Sequence, residues 1–223
     1  MVVDSSCARV QLSRRTLIAG GIAALAATRA FAIETPVAVP AATPLSVPVI
    51  DALPIDKARL IMVARQQLDR QNGAIWLRDK VGLVDFSRPS RDPRLFIINM
   101  LNGDIKPYLV THGKGSDHEH DGWLKTFSDD PGSLATSRGA YVTRQYYEGK
   151  HGLSMRLQGL DPDNRSAEDR AIVVHGAKYA DPERIAEMGK LGRSEGCFAL
   201  PQAKLFEVIA HIGAGRLLFA DKL

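Results

Sequence analysis

The stretch Val173–Leu200 constrains this chain more than any other. It reads V-V-H-G-A-K-Y, a polar spacer, and then L-G-R-S-E-G-C-F-A-L, placing His175 and Cys197 in one short segment. The apolar run Ala171–Val174 predicts a strand that delivers His175 at its end, with Gly176 next. Gly192, Ser194 and Gly196 crowd the approach to Cys197 and predict a tight bend with exposed amide N–H groups. A thiol and an imidazole so placed are the minimum equipment for nucleophilic catalysis through a thiolate. Backbone donors beside the thiol are what an acyl-transfer site uses to hold the oxyanion of a tetrahedral intermediate. Each residue alone has a plainer reading: a buried cysteine acting as a small hydrophobe, or a hydrogen-bonded structural histidine. Their combination points to chemistry.

The chain of 223 residues holds one more cysteine, Cys7, and it lies in a segment that reads as an export signal, residues 1–32. Arg14-Arg15 stands directly before the apolar run Leu17–Ala27, and Ala30-Phe31-Ala32 offers small residues at the two positions a signal peptidase reads. The S-R-R-x-L setting is similar to a twin-arginine signal, which implies a partner, the twin-arginine translocase, that exports a folded passenger. An ordinary secretory signal and an uncleaved anchor are the other readings. Cys7 precedes the apolar run, so it is no lipid-bearing cysteine. Cleavage after Ala32 would leave 25 basic against 24 acidic residues and Cys197 as the sole cysteine. Exported proteins commonly pair their cysteines as disulfides, and this thiol would have no internal partner. Without a clustered basic face there is no sign of a nucleic-acid partner. No later apolar run approaches the roughly 20 residues that span a bilayer, so no stable membrane span is expected in the processed chain.

Residues 33–54 repeat proline with small apolar neighbours and read as a Pro/Ala-rich, semi-rigid linker. Residues 55–94 read as an N-terminal helical appendage. Its helix would run from Asp56, a plausible N-cap, to Arg70, with Leu60, Ile61, Val63, Ala64 and Leu68 on one face. Lys80–Phe86 reads as a strand, and Leu95–Leu101 and Ile105–Thr111 flank the hairpin signal Asn102-Gly103. Residues 113–137 read as a long polar loop. Gly139–Tyr147 and Leu153–Leu160 form a further β pair, Gln202–Ile212 a helix and Arg216–Ala220 a closing strand. Several strands without regular βαβ alternation predict a mainly β fold with α decoration.

The text V-V-H-G followed by S-E-G-C resembles the L,D-transpeptidase catalytic domain of the YkuD type, in the branch with a G-R-S-x-G-C box. Thr111–Ser116, Ser137–Thr143, Tyr147–Leu160 and Arg170–Tyr179 carry the same likeness, which spans roughly residues 95–223. The resemblance implies a compact YkuD-like β-sandwich catalytic domain with Cys197 as nucleophile and His175 as general base. It implies that the carbonyl of Gly176 orients the imidazole, and that the amides of Glu195, Gly196 and Cys197, in the loop with Ser194, form the oxyanion hole. The reaction implied is attack on a peptidoglycan stem peptide after its third residue, departure of D-alanine, and a 3–3 cross-link to a second stem. That substrate lies in the periplasm or cell envelope, in agreement with an export signal. An L,D-carboxypeptidase or endopeptidase would use the same site, and a non-catalytic wall-binding module is the remaining alternative.

Two positions depart from the family pattern. Glu195 stands where a histidine or an aromatic residue is usual, and Ala199 where an arginine is usual. In an extended segment Glu195 and Cys197 project to one side; there the carboxylate either pairs with Arg193 or His175 or faces solvent. Arg193, Lys178, His112 and Tyr179 are further candidates for holding substrate, with Arg165 and Trp123 behind them. His118-Glu119-His120-Asp121 has no third ligand at a recognisable spacing, so it reads as a solvated loop. No metal and no cofactor are expected.

Overall fold

The computed structural model describes residues 54–223. The expected export signal and all of the expected linker except Pro54 lie outside the described residues.

Eight strands form one hydrogen-bonded sheet: β1 Lys80–Asp85, β2 Leu95–Asn99, β3 Ile105–Tyr108, β4 Gly139–Gly149, β5 Gly152–Gly159, β6 Val173–Gly176, β7 Phe198–Leu200 and β8 Leu217–Asp221. Their order is β3-β2-β1-β8-β4-β5-β6-β7. The α-helices among the described residues are α1 Lys57–Arg70, α2 Glu183–Met188 and α3 Gln202–Ile212, with short 3₁₀ turns at Lys114–Ser116, Pro162–Asn164 and Lys178–Ala180. The fold is mainly β with few helices and an N-terminal helix, as the sequence pattern predicts.

Side chains alternate across the central strands and give the sheet two apolar faces. Val81, Leu83, Ala140, Val142, Leu217 and Phe219 share one cluster with Leu60, Ala64 and Leu68 of α1. Val84, Tyr141, Leu218 and Ala220 share another with Leu205, Val208, Ile209 and Ile212 of α3. Each fully buried leucine or isoleucine here contributes about 1.5–3 kcal/mol. Helix α1 starts where Asp56 caps the Arg59 amide at 3.0 Å. At its other end Arg70 forks onto Asp161 at 2.9 and 2.7 Å, and the same carboxylate accepts the Ala140 amide at 2.7 Å. One carboxylate thus ties the helix to β4.

The boundary expected at residue 95 does not correspond to a break in the fold. Strand β1 pairs antiparallel with β2 and parallel with β8 in the middle of the sheet, so residues 55–94 are woven into the same body rather than appended to it. The Asn102-Gly103 turn is present, with Gly103 at φ 76°, but the hairpin is shorter than expected. Beyond Tyr108 the chain leaves β2, and the Thr111 amide donates instead to Ala199 O at 2.9 Å. That crossing carries His112 and Gly113 over to the Cys197 segment. Strand β7, helix α2 and the two parallel pairings, β1 with β8 and β6 with β7, were not expected; a three-residue strand has no periodicity to read.

Candidate active site

His175 sits within β6, not past its end. It lies opposite Ser154 on β5 and Ala199 on β7, and is almost fully buried. Its Nδ1–H donates to the carbonyl of its own neighbour Gly176 at 3.0 Å. A carbonyl can only accept, so this bond fixes the tautomer and leaves the Nε2 lone pair for other work. Tyr179 places its hydroxyl 3.5 Å from that Nε2. The His151 ring, from the turn between β4 and β5, stacks on His175 with centroids 4.3 Å apart.

Cys197 is half-buried just before β7, with Sγ 3.6 Å from Ala171 O. Ala171 itself holds φ 52°, a left-handed conformation costly for a residue with a Cβ. Cys197 and His175 line one cleft of about 570 Å³, together with Lys114, Tyr147, Lys150, His151, Arg170, Tyr179, Arg193 and Glu195.

The loop before the thiol is pinned to the crossing segment. The Ser194 amide donates to His112 O at 2.9 Å, and the Lys114 amide donates to Ser194 O at 2.8 Å. Ser194 Oγ donates to Cys197 O at 2.6 Å and accepts the Gly196 amide at 3.2 Å. Gly196 turns at φ 112°, and a methyl group there would lie 2.7 Å from Ala135 O. Gly113 is equally confined, since a Cβ on it would lie 2.8 Å from Gly196 N. The amides of Gly192, Ser194 and Gly196 are therefore already engaged, with Gly192 donating to Tyr179 O at 2.7 Å. Of the three amides expected in an oxyanion hole, Gly196 is held by Ser194, which leaves those of Glu195 and Cys197.

Burial pushes the Cys197 thiol above its ordinary 9.0; a backbone hydrogen bond at Val173 and the charges of Lys150 and Arg170 pull the other way. Burial pushes His175 below 6.5, opposed by its bond to Gly176 and aided by His151 and Lys150. Both shifts favour neutral forms. The resting pair is thiol and imidazole, not a preformed thiolate–imidazolium.

Glu195 takes the solvent-facing alternative: it meets neither His175 nor Arg193, is exposed, and accepts from Lys114 Nζ at 3.3 Å. Arg193 borders the cleft but turns its guanidinium to the carbonyls of Asp117 and His118, bracing a loop. Lys178 is exposed in a 3₁₀ turn outside the cleft lining. Arg165 donates to Pro162 O on the surface, and Trp123 is not part of the cleft wall. Tyr179 does line the cleft. His112 is buried away from it, accepting from Arg94 Nη2 on Nδ1 at 2.9 Å and donating from Nε2 to Asp117 at 3.2 Å. Burial, then the Arg94 charge, depress its pKa to about 3. In the His118–Asp121 cluster His118, Glu119 and Asp121 are exposed, as expected, whereas His120 is half-buried and its Nε2 donates to Leu191 O at 3.0 Å; Ser116 and Asp117, just before it, are fully buried. The sequence reading missed Lys150, His151, Lys114 and Arg170. The first two stand in the K-H-G text of the β4–β5 hairpin, and the turn itself was the available signal.

The family model for the L,D-transpeptidase catalytic domain matches residues 55–220. The chain belongs to that family. The match takes in α1 and β1 as well as all but the last three residues of the stretch 95–223 that carried the resemblance. Among solved structures, an L,D-transpeptidase from Mycobacterium smegmatis is 12% identical with a TM-score of 0.40, covering 64% of this chain and 58% of its own. The helical cell shape determining protein Pgp2 from Campylobacter jejuni is 14% identical with a TM-score of 0.43, covering 76% and 57%. L,D-transpeptidase 3 from Mycobacterium tuberculosis is 14% identical with a TM-score of 0.38, covering 64% and 61%. This chain thus spans less than two thirds of the length of these relatives. No curated protein sequence matches it.

Proposed function

We propose that the chain is a cysteine-dependent L,D-transpeptidase acting on peptidoglycan stem peptides and joining them by 3–3 cross-links. The observation that carries this reading is the sharing of one cleft by Cys197 and a His175 whose Nδ1 is committed to Gly176 O. With Nδ1–H held, Nε2 is the base. It takes the thiol proton as Sγ attacks the carbonyl carbon after the third stem residue. The amides of Glu195 and Cys197 hold the oxyanion, and Ser194 supports the loop that presents them. Collapse of the tetrahedral intermediate breaks the C–N bond, and His175 passes its proton to the departing D-alanine amine. An amine of a second stem then attacks the thioester, gives its proton to His175 and restores the thiol. Because the resting pair is neutral, proton transfer accompanies attack instead of preceding it.

The near-complete burial of His175 suits this chemistry, since a dry base and nucleophile favour the acceptor amine over water. The reading includes export by the twin-arginine route through residues 1–32, a linker over 33–54, and work in the periplasm or cell envelope. Incubating the purified chain with tetrapeptide stems, with and without an acceptor amine, tests it by product mass. A joined product with loss of one D-alanine is expected. Trimmed tripeptide as the sole product in both incubations would instead establish the L,D-carboxypeptidase.

A further inference from the structure

Four cationic side chains of Lys and Arg line the cleft, and three are already committed. Lys114 pairs with Glu195 at 3.3 Å. Arg170 keeps its side chain largely out of solvent, donating to Ser137 Oγ at 2.6 Å, Ala135 O at 2.5 Å and Asp129 at 3.3 Å. Arg193 is held by the carbonyls of Asp117 and His118. The fourth, Lys150, is exposed and forms no hydrogen bond or ion pair among the described residues.

Its place in the fold is specific. Gly149 and Gly152 pair across the end of the β4–β5 hairpin, so Lys150 and His151 are the two residues of the turn. His151 lies on His175, which sets Lys150 on the base's side of the cleft. The base must reach the leaving amine, and in a terminal amino acid the α-carboxylate is two bonds from that nitrogen. A carboxylate carried by the leaving residue therefore falls toward this turn. On the rest of the lining Glu195 and Asp169 repel it. The Lys150 charge acts on both His175 and Cys197, in keeping with a position between them and solvent.

We propose that Lys150 binds the free α-carboxylate of the residue that leaves, and so selects donor stems that end one residue beyond the scissile bond. This rests on the transpeptidase reading above. A charged hydrogen bond of this kind changes affinity roughly ten- to hundredfold.

The test uses the full chain carrying Cys197→Ala, so that binding is read without turnover. Calorimetric titration compares a tetrapeptide stem ending in a free carboxylate with the same stem ending in a carboxamide. The expected result is that Lys150→Gln weakens the carboxylate stem at least about tenfold, leaves the carboxamide stem unchanged, and that Lys150→Arg restores most of the loss. Equal weakening of both stems, no change in either, or no binding of either stem before substitution would overturn the proposal. Failure of the underlying reading shows separately. An unsubstituted chain that forms an acyl adduct on Cys197 while Lys150→Gln has no selective effect would sink only the role of Lys150. A chain that forms no adduct yet still distinguishes the two stems would sink only the transpeptidase chemistry.

Discussion

The rings of His151 and His175 lie nearly parallel, with 4.3 Å between centroids and 23° between planes. His151 thereby covers one face of the imidazole that Gly176 O orients from within the strand. Covering and like charge act in the same direction, keeping the imidazole neutral.

The acid limb of kcat/KM should consequently lie below pH 6.5, because the base works only when unprotonated and its pKa is lowered from that value. In His151→Ala, lost burial and lost repulsion both raise the pKa, so the limb moves up toward 6.5. His151→Phe keeps the cover and moves it less. A pH–rate profile of the three chains checks this, and an unmoved limb in His151→Ala would refute the role of the stack.

Burial holds the Cys197 thiol above its ordinary 9.0 in the resting chain. Alkylation by iodoacetamide should rise steadily through pH 9 without an early plateau between 6 and 8, where a preformed ion pair would place one. Glu195→Gln should lower the thiol pKa slightly, since Glu195 is the last and smallest influence raising it. Its exposed pair with Lys114 belongs to a class worth about 0–1 kcal/mol, so kcat/KM should change by no more than about fivefold. A higher thiol pKa in Glu195→Gln would contradict the observed pairing.

Stability should depend on the buried group Arg94, His112 and Asp117. Arg94 is fully buried and also donates to Val110 O at 2.8 Å. Arg94→Met removes the buried donor to His112 Nδ1 and the buried charge that balances Asp117, and should cost about 3–5 kcal/mol in urea unfolding. His112 is held neutral with a folded pKa of about 3 against 6.5 when unfolded. The unfolded chain therefore binds the proton first as pH falls. The stability from this group is whole above pH 6.5 and is lost on descending from 6.5 toward 3. His112→Gln should show a shallower loss over that window.

Gly196→Ala should keep the fold and lose the reaction. The added methyl would press on Ala135 O at 2.7 Å and Ile172 Cδ1 at 2.9 Å, at a φ of 112° that disfavours a Cβ. Displacing the Cys197 loop by a fraction of an ångström to about 1 Å should lower kcat at least about a hundredfold, with near-ultraviolet circular dichroism little changed. Near-normal turnover would show that the loop tolerates another backbone path.

That Cys197 and His175 line one cleft was legible because their signals are local, glycines around Cys197 and an apolar run into His175. Helices α1 and α3 were equally plain from their buried faces. The choice between a paired and a solvent-facing Glu195 stayed open in the sequence because two-residue alternation holds only in extended chain, and Gly196 at φ 112° interrupts it. His112 was ambiguous because a histidine at a strand end reads alike whether it faces a cleft or an interior; Arg94, 18 residues upstream, decides which. Lys150 and His151 reach the site only through folding of the β4–β5 hairpin beside β6, and nothing near Cys197 in sequence announces them. The parallel partnership of β1 and β8 joins segments at opposite ends of the described chain, beyond the range of any local pattern.

The central claim is that Cys197 carries the acyl group. Intact mass after incubation with a carbapenem, followed by peptide mapping, tests it most directly. One adduct on the peptide containing Cys197 is predicted, abolished in Cys197→Ser and strongly slowed in His175→Ala. An unmodified Cys197, or an adduct that persists in Cys197→Ser, would contradict the account.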